Sequence, residues 1–333
     1  MNANKSDCDV SVIVVNWNGG ELLSKCIASI AAQSFAPKKV FLVDNNSTDN
    51  SLSALPELKQ LKIIKLDANY GFAVANNRAL AECSTKYVAL LNPDALAEPA
   101  WLENLVRAAE ADPTTAIFGS LQMMLHETGV IDGLGDIYHL SGLSWRRGYG
   151  RKFISSDAFQ ESIFSACACA ALYRTEAMQG VGGFDEDYFC YFEDVDLGFR
   201  LRLAGHKATL VPGAVVLHSG SASTGGKRGD FSIYHAHRNL VWTFFKNMPS
   251  YLFWILLPVH LALNFVAVFY FIAKGKGPII LKSKWHAVLG LPKMLRKRRL
   301  IQQGRLAAVS AIWISLYKSL SLRRDDYHPK NPS

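Results

Sequence analysis

Apolar positions fall into two alternating rhythms along the first two-thirds of the chain. Val10–Val15 (VSVIVV) is apolar at almost every position and rich in β-branched residues, which predicts a strand buried on both faces. Glu21–Ala32 follows with apolar residues at helical spacing. Val40–Val43 and Leu61–Leu66 predict the next two strands, Phe72–Cys83 a helix, and Tyr87–Leu91 a fourth strand that runs into Asn92-Pro93-Asp94. Glu98–Glu110 predicts another helix and Ala116–Gly119 another strand. Strands alternating with helices imply βαβ units and an α/β fold, a mostly parallel sheet flanked by helices. In such sheets ligands bind beyond the carboxyl ends of the strands. The polar clusters Asn16-Trp17-Asn18, Asp44-Asn45-Asn46, Asn69-Tyr70-Gly71 and Asn92-Pro93-Asp94 all fall there.

From Met123 to Gln160 the rhythm fades among glycines, aromatics and Arg146-Arg147, predicting an irregular excursion that contacts substrate. Regular apolar structure returns at Ile163–Tyr173. Leu197–Ala204 predicts a short helix closed by Gly205, and Ala208–Val211 and Val215–Leu217 predict strand. Tyr251–Ala273 then runs 23 residues without a formal charge, long enough to span a bilayer, although Pro258, His260 and Asn264 interrupt it. A single crossing would carry the basic tail to the far side, against the positive-inside preference. Two arrangements avoid this: a segment lying in one leaflet, or a return through Leu306–Leu322. The cluster Lys293–Arg299 favours an interface with anionic lipid. The other reading is a buried helix of a soluble core.

The chain has 333 residues, 50% hydrophobic and 19% charged, which suits a globular protein and excludes a disordered one. We divide it at 1–248, the domain of alternating strands and helices, and 249–333, an apolar and basic helical tail expected to associate with a membrane. The net charge of +8 is uneven. From Lys274 onward, 14 Lys/Arg stand against Asp325 and Asp326, leaving 22 basic and 26 acidic residues before them. This argues against a basic nucleic-acid-binding fold. Six scattered cysteines, and an N-terminus without an apolar signal core, predict buried thiols in a reducing cytosolic compartment.

Candidate chemistry sits at the strand ends. Asp94, two residues after Asn92, is placed to hold a hard divalent cation that neutralises a diphosphate, although Asn-Pro-Asp is also an ordinary turn. Asp44 is placed to accept hydrogen bonds from a nucleoside. Asn69-x-Gly71, opening a helix with Asn76 and Asn77, suits polar ligand groups, but it is not the glycine fingerprint of a nicotinamide dehydrogenase. Glu193, Asp194 and Asp196 form the densest acidic cluster, near Asp185–Asp187 and five aromatic residues. Carboxylates in an aromatic pocket acquire the raised pKa that a general base needs. The competing role for Asp194 is to cap the helix Val195–Ala204. His218 matters only if it faces Asp94.

Together these motifs resemble the inverting family 2 glycosyltransferases of GT-A fold, and within them a rhamnosyltransferase-like branch. The matching stretches are Val10–Gly19, Val43–Ser51, Asn69–Asn77, Leu90–Asp94, Gly182–Arg200 and Ala204–His218, with Tyr234–Pro249 beyond them. The resemblance implies a donor site lined by Asn16, Asp44, Asn69, Gly71, Asn77 and Asn92, with Arg238 reaching the pyrophosphate. Asp94 corresponds to the surviving carboxylate of a DxD metal motif whose first Asp is here Asn92. His218 is implied as a further ligand to Mg²⁺ or Mn²⁺, and Asp194 as the catalytic base. The implied activity moves a sugar from a nucleotide-diphosphate donor, dTDP-rhamnose or a UDP-hexose, to a lipid-linked saccharide acceptor in cell-surface polysaccharide synthesis. The implied location is the cytoplasmic face of the inner membrane, held peripherally as a monotopic or hairpin-inserted protein. A non-catalytic nucleotide-sugar-binding protein is the competing class; it would lack the base.

Overall fold

The computed structural model describes residues 7–154, 161–220 and 229–319. The chain begins with β1 (Asp7–Asn16), α1 (Gly20–Ala31), β2 (Ala36–Asp44), β3 (Leu61–Lys65), α2 (Gly71–Leu80) and β4 (Tyr87–Leu91). Next come β5 (Ala95–Ala97), α3 (Trp101–Ala111), β6 (Thr115–Met124), β7 (Ile131–Gly133), β8 (Asp136–Tyr138), β9 (Ser144–Arg146) and β10 (Glu161–Ser162). Then follow β11 (Ala170–Arg174), α4 (Thr175–Gly180), α5 (Glu193–Leu203) and β12 (Lys207–His218). The C-terminal part is helical: α6 (Asp230–Asn247), α7 (Ser250–Ala273), α8 (Gly277–Gln303) and α9 (Val309–Ser315).

The main sheet runs β3-β2-β1-β4-β11-β6-β12-β10. Strands β3, β2, β1, β4, β6 and β12 are parallel, and β11 lies antiparallel between β4 and β6. The mostly parallel sheet expected from the sequence is therefore present. Its central strands are apolar on both faces because both faces are covered. Val12, Val14, Leu42 and Leu91 pack with Leu23, Ile27 and Leu105 of α1 and α3. Ile13, Val43 and Leu90 pack on the other side with Ala75, Met178 and Leu197 of α2, α4 and α5. Truncating such a core leucine to alanine costs about 2–5 kcal/mol.

Register sets the site. Asn16 pairs with Asp44, so the carboxyl ends of β1 and β2 place these side chains next to each other. Ala95 pairs with His218, so Asp94 emerges beside the last residue of β12. The excursion after Met123 is less irregular than its sequence suggests. It forms β7, on the edge of β6, and the β8–β9 hairpin, strands of three residues each and too short to show a period. Its last part, 155–160, lies outside the described residues.

The C-terminal helices do not form a separate layer. Leu252, Phe253, Leu256 and Ile312 share a core cluster with Tyr138, Phe164 and Phe199. The expected return segment Leu306–Leu322 is not a spanning helix. Its helix, α9, covers only Val309–Ser315, and 320–322 lie outside the described residues. Seven residues fall well short of the roughly 20 that a helix needs to cross a bilayer. Pro258 is accommodated within α7. His260 and Asn264 do not break the apolar surface but face the protein. The His260 ring is buried against Phe244 at 4.0 Å with Nδ1 2.8 Å from the Ser141 carbonyl, and Asn264 Oδ1 accepts from Lys284 Nζ at 2.6 Å. The opposite face of α7 is open, with Trp254, Leu261, Phe265 and Phe269 exposed.

Candidate active site

The site opens at the carboxyl ends of β1, β2 and β4. Asn16 is fully buried and organises its floor. Its Nδ2 donates to Asp44 Oδ1 at 3.2 Å and to Ser47 Oγ and Ser51 Oγ at 2.9 Å, while its Oδ1 accepts from Gly19 N at 3.1 Å. Asn16 therefore positions Asp44 and the 47–51 loop. Asn45, which the sequence reading left out, ties in the next loop: its Nδ2 donates to Asn69 Oδ1 at 2.8 Å and its Oδ1 accepts from Tyr70 N at 3.0 Å. Trp17 and Tyr70 stand exposed at the rim.

Three expected donor contacts are otherwise engaged. Gly71 has φ +85°, and a Cβ there would lie 2.6 Å from the Phe189 carbonyl oxygen, so the close approach its lack of a side chain permits is made by the protein's own backbone. Asn77 brackets Phe184, accepting from its N–H at 2.9 Å and donating to its carbonyl at 2.8 Å. A helical residue points where its turn dictates, here onto the 184–186 segment. Arg238 donates to the carbonyls of Asp187 and Tyr188 at 3.2 and 3.0 Å and stacks 4.2 Å over Trp242, so it braces that segment from α6.

Asp94 and His218 meet as their register requires, with His218 Nε2 3.3 Å from Asp94 Oδ1. The other ring nitrogen, Nδ1, lies 2.8 Å from Asp132 Oδ2, and Asp132 pairs in turn with Arg146. Burial works against a charged His218 ring, yet Cys169, Asp132 and Asp94 around it raise its pKa to about 12. Asp132 and Arg146 come from the excursion, whose lack of period hid them. The only signal was a pair of carboxylates, Asp132 and Asp136, set among apolar residues and glycines. Asn92, two residues before Asp94, donates its backbone N–H to the Cys169 carbonyl at 2.7 Å.

Asp194 is half-buried in the first turn of α5, not at its cap, which is Phe192. Its Oδ2 accepts from Ala168 N at 3.2 Å and its Oδ1 from Val195 N at 2.8 Å. Ala168 leads into β11, whose Ala170 pairs with Leu91, so this contact draws Asp194 toward the end of β4. Burial raises the Asp194 carboxyl above the ordinary range, although the two N–H groups and Arg146 pull it back. Asp136, bonded to Ser165 Oγ at 3.1 Å, and Glu193 are raised well above that range by burial and by the Asp194 charge. Glu193 Oε2 is buried without a partner among the described residues. The acidic cluster thus splits. Glu193 joins Asp194, whereas Asp196 is fully buried away from the site, paired with Arg200 at 2.8 Å and Lys246 at 2.7 Å. There Lys246 and Arg200 hold it ionised against its burial, with its pKa lowered.

The approach to α5 is strained. Phe189, Tyr191 and Phe192 have φ of +66°, +65° and +68°, a region costing roughly 1–3 kcal/mol per non-glycine residue. The buried Asn239 of α6 holds them there, its Nδ2 donating to the carbonyls of Tyr188, Cys190 and Tyr191 at 3.0, 2.9 and 2.7 Å. All six cysteines are free thiols, five of them buried.

Among the described residues no three His, Cys, Asp or Glu side chains converge as a closed metal cage. The pair Asp94–His218 nevertheless fits a cation that completes its coordination on a diphosphate, the arrangement Mg²⁺ favours. His218 is then the neutral ligand, its Nδ1–H donating to the Asp132 carboxylate.

The family model for glycosyl transferase family 2 matches residues 11–182. An N-acetylglucosaminyl-diphospho-decaprenol L-rhamnosyltransferase of Mycobacterium tuberculosis is 29% identical over 265 residues, 72% of this chain and 84% of that protein. Solved structures share the fold. The N-terminal part of TarS from S. aureus superposes with a TM-score of 0.56 at 16% identity, covering 92% of this chain and 89% of that one. A mannosyltransferase from Pyrobaculum calidifontis, solved with GDP-mannose and Mn²⁺, gives a TM-score of 0.54 at 20% identity over 92% and 87%.

Proposed function

The chain belongs to glycosyl transferase family 2, and from that membership we propose that it transfers rhamnose from dTDP-rhamnose to a hydroxyl of a lipid-linked saccharide, with inversion at the anomeric carbon. It is a glycosyltransferase; the donor, the acceptor and the stereochemistry are the proposal. The observation that carries it is the convergence of Asp44, the Asp94–His218 pair and Asp194 at one end of the sheet. The Mycobacterium tuberculosis relative supports the sugar and the lipid-linked acceptor through its name.

In this reading Asp44 receives the nucleoside, and its Oδ2, which has no partner among the described residues, accepts the ligand's hydrogen bond. Asp94 and His218 hold a divalent cation, as the Mn²⁺ in the mannosyltransferase structure supports. When bound, that cation neutralises the departing diphosphate. Asp194 takes the proton from the acceptor hydroxyl as its oxygen attacks the anomeric carbon, and the bond to the diphosphate breaks on the opposite face. Its raised pKa brings the base closer to the operating pH, as general-base catalysis favours. A UDP-hexose donor is the second reading, since nothing in the nucleotide floor selects the sugar. Retention of Asp194 argues against the binding-only class.

We further place the chain at the cytoplasmic face of the inner membrane, lying in the interface. Within the 24-residue α7, an 18-residue stretch has a mean hydropathy of 2.2 and is only 11% buried. Its inner face is bonded to the domain through His260 and to Lys284 of α8 through Asn264, so α7 is tied on both sides.

The test is transfer from a panel of nucleotide sugars to a lipid-linked acceptor, with Mg²⁺, Mn²⁺ or chelator, for wild type and Asp194→Asn. Turnover of dTDP-rhamnose, lowered about 10²–10⁴-fold in the variant with donor affinity retained, is the expected result. Turnover of a UDP-hexose in its place overturns the sugar, and an Asp194→Asn enzyme of near wild-type rate overturns the base.

A further inference from the structure

The basic residues of α8 do not form one lipid-facing cluster, contrary to the sequence expectation for Lys293–Arg299. Lys293 lies 2.5 Å from Asp187, and Lys297 pairs with Asp185 and, at 2.7 Å, Asp187, so both lysines are committed to the protein's own acids. The arginines that follow are sorted differently. Arg298, Arg299 and Arg305 line a cavity of about 480 Å³ together with Ser250 and Gln303, with Leu295 at its lip. No carboxylate lines this cavity, and none of the three guanidinium groups has an acidic partner among the described residues.

Two of the arginines are oriented but not neutralised, and the third, Arg299, is exposed. Arg298 donates through one terminal nitrogen to the Phe245 carbonyl at 3.2 Å and to that of Met248, with its guanidinium 4.6 Å over the Phe253 ring. Arg305 donates to the Ala307 carbonyl at 2.5 Å, and its Nε is buried without a partner among the described residues. Carbonyl bonds fix the plane of a guanidinium and leave its full charge in the cavity. Planar forks of this kind match the oxygens of a phosphate. Unpaired cations converging on one cavity repel one another, so an anion between them is stabilising.

The surroundings identify the anion. Ser250, which lines the cavity, opens α7, and the α7 residues just after it, Tyr251 and Trp254, are exposed, Trp254 at 71%. They continue into the open apolar face of α7. A polar, cationic hollow set at the edge of an apolar face, with aromatic residues between them, has the layering of a bilayer interface. We propose that this cavity binds the phosphodiester headgroup of an anionic phospholipid. The proposal rests on the interfacial seating described above, and it adds a built site to what would otherwise be diffuse attraction.

The experiment is co-sedimentation of the full chain, without nucleotide, with vesicles of phosphatidylcholine alone or mixed equally with phosphatidylglycerol. Wild type is compared with Arg299→Gln/Arg305→Gln and with Lys282→Gln/Arg296→Gln, which removes the same charge outside the cavity. Diffuse attraction is worth about 1 kcal/mol per basic residue, roughly five-fold each, and treats the two pairs alike. The site predicts a loss for Arg299→Gln/Arg305→Gln at least ten-fold larger than for the control pair, confined to phosphatidylglycerol vesicles. Equal losses overturn it. Competition by inorganic phosphate at matched ionic strength, or tight binding only to vesicles carrying a polyprenyl diphosphate, overturns the phospholipid as the source of the phosphate. Should Arg305→Gln fail to fold, Arg299→Gln alone keeps the comparison, because Arg299 is exposed. Transferase activity is not read, so failure here is separate from failure of the catalytic proposal.

Discussion

Replacing Lys246 by methionine tests the ion network beneath α5. Lys246 Nζ lies 2.5 Å from Asp185 and 2.7 Å from Asp196, and the three side chains are 1%, 7% and 0% exposed. Methionine keeps the length and apolar stem of lysine, so packing is little disturbed and the lost charge dominates. Removing one partner of a buried pair costs about 3–5 kcal/mol, because the other charge is left buried. Here each acid keeps a second cation, Lys297 for Asp185 and Arg200 for Asp196, which places the cost near the lower bound of about 3 kcal/mol. For a chain of this length that corresponds to a fall in Tm of roughly 4–5 °C. Lys38→Met is the reference: its partner Asp9 is exposed, and such a pair contributes about 0–1 kcal/mol. Thermal and urea unfolding of both variants, and of Lys246→Met/Asp185→Asn, are the assays. The double variant should be less destabilised than the sum of its parts, since asparagine needs no counter-charge. A Lys246→Met loss no larger than that of Lys38→Met, or strict additivity in the double variant, refutes the reasoning.

Asp132→Asn should weaken Mn²⁺ binding in the presence of a nucleoside diphosphate by about 10–100-fold, the usual effect of removing the carboxylate that orients a ligating histidine. Titration followed by electron paramagnetic resonance measures it, and an affinity within two-fold of wild type counts against that role. The pH dependence of kcat/KM follows from Asp194, which must be ionised to accept a proton. Because burial raises its pKa, activity should fall on the acid side with an apparent pKa above the roughly 4 of a free carboxylate. A limb at or below that value contradicts the burial of the base.

The sheet was legible because its strands are buried on both faces and spell that burial out. Tyr87–Leu91 was bounded to the residue, and the polar pairs Asn16–Asp44 and Asp94–His218 follow from where apolar runs stop. The excursion was not legible, since three-residue strands carry no period and Asp132, Asp136 and Arg146 find their partners only through tertiary contact. The structural part played by Asn77 and Arg238 was not legible for a related reason. An Asn or Arg in a motif carries the same letters whether it binds a ligand or braces a loop, and only Phe184 and the Asp187 carbonyl distinguish the two. Composition correctly marked α7 as apolar, but the direction of His260 and Asn264 depends on Ser141 and Lys284, far away in sequence.

Helix α6 carries two loads. Asn239 on one part of it fixes the strained segment that leads to Asp194, and Trp242, donating from its ring N–H to the Ala287 carbonyl at 3.0 Å, seats it on α8. One rigid rod therefore connects the segment that carries Asp194 to the apolar underside. An enzyme built this way measures height. If Asp194 is the base and the apolar underside rests on a membrane, as proposed, the base stands at a set elevation above that surface, and an acceptor whose hydroxyl is carried too low or too high on its stalk is passed over without any contact to reject it.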